Sequence, residues 1–174
     1  MNSKLKTILS VLLFAPVWFL LYTILHEGGH ALVILAYGGT IDSFWVLGMN
    51  AHVSAHGEVY STFGEALMHI AGVLFPTVIS AIALIFYNQK VKFDGYHLCY
   101  FMVLVTPIFN MLVWVIFPII SLFTPPPQGE DVTKFLNVTG FPALLVSLGA
   151  LLIAGVFVLY IYKEGLLKKV FDGE

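Results

Sequence analysis

The chain has 174 residues, 59% of them hydrophobic and only 10% charged, with a formal net charge of −2. A water-soluble domain carries about 25% charged residues, so this composition excludes one and points to a single domain, 1–174, built against lipid. There is no arginine, no basic patch and no glycine-rich phosphate loop, which excludes nucleic acid as a partner, and the lone Cys99 excludes an internal disulfide.

The first apolar segment runs from Thr7 to Tyr37. As a helix it would be about 46 Å long, against about 30 Å of hydrocarbon. That is too short for two spans and long for one, so we expect one long helix over about 6–37, tilted or kinked near Pro16. Its lysine-then-apolar start looks like a signal peptide. No A-x-A-like cleavage site follows, so it is read as a retained span. Gly38-Gly39 end it.

Inside this span lies His26-Glu27-Gly28-Gly29-His30, a match to H-E-x-x-H. Residues four apart share a helix face, so His26 and His30 can grip one metal ion. Glu27 stands beside them, placed to take a proton from water on that metal. This is the arrangement of a zinc hydrolase. Ionisable groups in a spanning segment cost about 2.5–3.5 kcal/mol each, so three within five residues need a reason. A polar helix-packing cluster and a haem-type histidine pair are the plainer readings.

Residues 40–61 mix β-branched and aromatic residues with small and polar ones. A short hairpin is expected, about 43–47 against 51–59, turning at Gly48-Met49-Asn50. The second span is about 63–87 and the third about 96–122, with bends possible at Pro107 and Pro118. The proline-rich stretch 124–127 stops that helix, and Glu130-Asp131 follow at once. Asp131 can begin a short helix over 130–137. The fourth span is about 141–162. The expected fold is an all-α polytopic membrane protein: four transmembrane helices and a β-hairpin-like segment after the first. Seven of the eight lysines fall on one side of this arrangement, which puts both termini in the cytoplasm.

Two histidines leave a catalytic zinc site one protein ligand short. The candidates are Glu130, Asp131, Asp42, Glu58, Glu65, His52, His56 and His69. Asp131 is favoured because the proline-rich break can lower a carboxylate into the membrane edge on non-helical backbone. Glu65 and His69, four apart, are candidates to orient a ligand, or simply pair with each other. His52 and His56 share a strand face. Asn110 is an intramembrane amide that needs partners.

HEGGHALVILAYGG on a membrane helix resembles the site-2 protease family of intramembrane zinc metalloproteases. The hairpin-like segment, Ala71-Gly72 in the next span and a late aspartate after prolines fit the same order. The resemblance implies Zn²⁺ as cofactor, His26, His30 and Asp131 as ligands, and Glu27 as catalytic base. It also implies cleavage in or near a membrane-protein substrate's transmembrane segment, with hairpin 43–59 pairing with the extended substrate. The family's L-D-G at the third ligand is here Glu130-Asp131-Val132. Two rival functions are a catalytically silent protein that binds membrane clients, and a metal-transport component.

Overall fold

The structure, a computed structural model, describes residues 3–48 and 50–171. The elements follow the order α1 (Ser3–Ala36), β1 (Thr40–Trp45), β2 (His52–His56), α2 (Thr62–Ile85), α3 (Asp94–Ile120), α4 (Asp131–Thr139), α5 (Ala143–Lys163) and α6 (Leu166–Phe171). Helices α1, α2, α3 and α5 are each long and apolar enough to cross a membrane. Their outer faces carry exposed leucine, valine and phenylalanine, for example Leu12, Leu13, Leu151 and Leu152. In water such surface would collapse; in lipid it is the ordinary exterior. The chain is therefore an all-α, multi-pass membrane protein.

Helix α1 passes through Pro16 without interruption, and α3 through Pro107 and Pro118. Each proline removes one helical hydrogen bond, and the hydrocarbon gives the rest of the helix no alternative to staying paired. Gly38, at φ +81°, closes α1 with paired bonds from Gly38 N to Leu35 O and Gly39 N to Ile34 O. That left-handed position suits glycine.

Hydrophobicity drives little association inside lipid, so helices meet through small residues and hydrogen bonds. The buried face of α2 includes Gly64, Ala71, Gly72, Thr77 and Ser80. Helix α5 buries Ser147, Ala150, Ala154, Phe157 and Ile161, alternating three and four apart, which is one continuous stripe. Ser147 donates to Val115 O at 2.9 Å and Ser80 to Val103 O at 3.0 Å, tying α5 and α2 to α3. Trp18 Nε1 donates to Thr106 Oγ1 at 2.6 Å, tying α1 to α3.

Two parts differ from the sequence reading. The hairpin pairs Thr40–Trp45 with His52–His56, starting earlier and ending sooner than 43–47 against 51–59. The cap of α1 delivers the chain straight into β1 at Thr40, and Gly57, at φ +83°, ends β2. Asp42 is an extra residue in β1 and bulges the ladder between Ile41 and Ser43. Gly48 of the expected turn lies in the connection, and Met49 is outside the described residues. The second difference is α6, which follows the fourth span and has no counterpart among the expected elements. Its Leu166 and Val170 are buried against Leu104, Phe157 and Ile161.

Candidate metal centre

Helix α1 brings His26 and His30 to one face, as their spacing requires. The third group arrives from α4. Asp131 is its first residue, where the helix dipole favours a carboxylate. Val132 and Phe135, buried among Val73, Met111 and Trp114, hold that helix end in place. Asp131 Oδ2 stands 3.2 Å from His26 Nε2 and 3.1 Å from His30 Nε2. The two Nε2 atoms are 3.3 Å apart. Among the described residues, these three side chains form a group able to hold a metal ion.

The triangle fits zinc. Bonds of about 2.0–2.2 Å in a tetrahedron put neighbouring donor atoms about 3.3–3.6 Å apart, close to the spacing found. The hydrogen bonds also fit. His30 Nδ1 lies 2.7 Å from the carbonyl oxygen of Met68. A carbonyl only accepts, so the proton of the neutral ring sits on Nδ1 and Nε2 presents its lone pair to the centre. His26 Nδ1 lies 3.2 Å from the Tyr22 hydroxyl, one helical turn earlier. Two imidazole nitrogens and a carboxylate oxygen face one point, an arrangement that a metal ion held there would satisfy, as would a ring proton donated to Asp131. Burial pushes the Asp131 carboxyl up, but hydrogen bonds and charge from His26 and His30 outweigh it and hold it well below the usual carboxylate range.

Room for the imidazoles comes from α2. A methyl group on Gly72 would stand 2.5 Å from His26 Cε1 and His30 Nε2. One on Gly29 would stand 2.4 Å from the carbonyl oxygen of Ala71. These two glycines let α1 and α2 approach with the imidazoles between them. Gly28 has nothing within 4 Å and serves no such purpose.

The centre opens into a polar cavity of about 410 Å³. Glu27, largely buried, lines it beside His26, His30 and Asp131. Glu130 and Lys134 form part of the wall, and Ala51, His52 and Val53 reach it from the start of β2. Glu130 therefore borders the centre while Asp131 enters it. Strand β2 pairs only with β1 among the described residues, so its outer edge is open.

Of the sequence candidates, Glu130 and His52 line the cavity outside the three-residue group, and the others lie elsewhere. Asp42 meets His56 at 2.7 Å on the exposed hairpin, and Glu58 packs against Gly39. Among the described residues, neither Glu65 nor His69 hydrogen-bonds a histidine of the centre or the other. Orientation of the imidazoles comes instead from Met68 O and Tyr22. Sequence reasoning missed both, since a backbone carbonyl leaves no residue signature. Tyr22, at i−4 from His26, was legible by spacing.

No family model, curated protein or solved structure matches this chain.

Proposed function

We propose that this protein is an intramembrane zinc metallopeptidase, similar to site-2 proteases, that cleaves membrane-protein substrates in or near their transmembrane segments. The observation that carries the reading is the convergence of His26 and His30, on a helix long and apolar enough to cross a membrane, with Asp131 of α4, and with Glu27 in the same cavity. Zinc held there would polarise a peptide carbonyl and acidify water. Glu27 would take a proton from water as the water oxygen adds to the peptide carbonyl carbon, and would give it to the amide nitrogen as the C–N bond breaks. Asp131 offsets part of the metal's charge at low dielectric. A helical peptide bond is shielded, so the substrate must unwind first. The open edge of β2, beside the centre at Ala51–Val53, suits an extended segment. The lysine distribution supports cytoplasmic termini, and the centre would then lie towards the opposite face.

The test is metal content together with cleavage of a model membrane helix. Glu27→Gln is expected to keep zinc and lose cleavage; His26→Ala is expected to lose both. Cleavage at the parent rate in Glu27→Gln would overturn the hydrolase. Client binding without cleavage in the zinc-loaded parent would favour the silent binding protein, and metal flux across vesicles would favour the transport component.

A further inference from the structure

At the opposite ends of α2 and α3 from the metal centre, residues 86–93 connect two spans. This loop is held by its own polar groups. Lys90 N donates to Asn88 Oδ1 at 2.9 Å, and Asn88 N donates to the Tyr96 hydroxyl at 2.7 Å. His97 is buried, with Nε2 2.7 Å from Val91 O and Nδ1 3.0 Å from the Tyr87 hydroxyl. Both ring nitrogens are satisfied, so His97 fixes the loop and leaves other groups to meet a ligand. From below, α6 joins it: Lys169 Nζ donates to Gln89 O at 3.1 Å, and the Gln89 amide meets the Glu164 carboxylate.

The result is a cavity of about 360 Å³ lined by Gln89, Lys90, Val91, Lys92, Asp94, His97 and Lys169. Three ammonium groups face it against one carboxylate, Asp94. Among the described residues, none of the three lysines is within 4 Å of a carboxylate. Lys169 spends one donor on Gln89 O and keeps two. The surroundings set the depth. Phe93, between the lining residues Lys92 and Asp94, is strongly exposed, as are Phe86 and Tyr162 at the ends of α2 and α5. Aromatic residues at span ends sit at headgroup level, with acyl chains beyond.

We propose that this cavity binds the phosphate-bearing headgroup of an anionic phospholipid, through Lys90, Lys92 and Lys169, with acyl chains lying along Phe86 and Phe93. The ammonium groups take the phosphate oxygens, and the apolar rim distinguishes a lipid from free phosphate. The site uses none of the metal-centre residues, so it stands whether or not the protein is a peptidase. An occupied site would tie the loop and α6 to the same membrane face.

The test is retention of short-chain phosphatidic acid by the full chain in phosphatidylcholine nanodiscs, read by native mass spectrometry, with inorganic phosphate as a separate probe. Expected is preferential retention of the anionic lipid, reduced on the order of 100-fold in Lys90→Gln/Lys92→Gln/Lys169→Gln. The corresponding triple arginine variant is expected to restore it, which separates charge from misfolding. Lys163→Gln/Lys168→Gln removes two charges from the same end without touching the cavity and is expected to retain the lipid. Equal loss in that control would show diffuse attraction and overturn a defined site, as would unchanged retention in the triple glutamine variant. Inorganic phosphate displacing the lipid at equal concentration would overturn the lipid as the ligand.

Discussion

Asp131 Oδ2 stands 3.1 Å from His30 Nε2, although 101 positions of chain separate them. Two packed elements produce this contact. Gly29 and Gly72 set how closely α1 approaches α2, and buried Val132 and Phe135 seat α4 so that its first residue faces the imidazoles.

Asp131→Ala is expected to weaken zinc binding far more than Glu130→Ala, on the order of 100-fold against less than about 3-fold. Both residues border the cavity, but only Asp131 lies within bonding geometry of both histidines. Competitive titration with a chelator measures it. The reverse order would transfer the ligand role to Glu130.

The three glycines separate by position. Gly28→Ala is expected to leave metal affinity and thermal stability unchanged, since open space surrounds it. Gly29→Ala drives a methyl into the rigid backbone of α2 and is expected to cost about 1–3 kcal/mol of stability. Gly72→Ala displaces the imidazoles and is expected to lower zinc affinity about 10-fold or more. Thermal unfolding and zinc titration of the three variants would expose any other ranking.

Tyr22→Phe is expected to lower zinc affinity about 10-fold while the fold persists. The phenol ring stays, and only the hydroxyl at His26 Nδ1 is lost. Nitrogen NMR of labelled His26 would report the accompanying change of tautomer. Unchanged affinity and tautomer would remove Tyr22 from the centre.

A photo-crosslinker at Val53 is expected to capture a model substrate, and one at Thr40, at the far end of the ladder, is not. Glu27→Gln supplies the uncleaved complex. Crosslinks absent from Val53 would end the proposal that β2 receives the extended substrate.

Cysteine placed at residue 92 in Cys99-free protein is expected to react only with reagent supplied from the cytoplasmic side. Labelling from outside would reverse the orientation drawn from the lysines.

Local physics made much of this protein legible in its sequence. The His26–Glu27–His30 constellation lies within five residues of one helix, where a fixed pitch dictates which side chains share a face. Lipid allows little but helix, so four apolar runs became four spans. Tertiary packing decided the rest, because it depends on which small residues let which helices touch. Of eight candidates spread along the chain, it brought Asp131 against the two histidines. It turned Gly72 into the space that two imidazoles fill, and it assigned orientation of His30 to the Met68 carbonyl rather than to Glu65 or His69. The hairpin register followed from the bulge at Asp42, and α6 from the burial of Leu166 and Val170 against α3 and α5. Each of these relations joins residues distant in the chain, and a repeating local pattern carries no record of them.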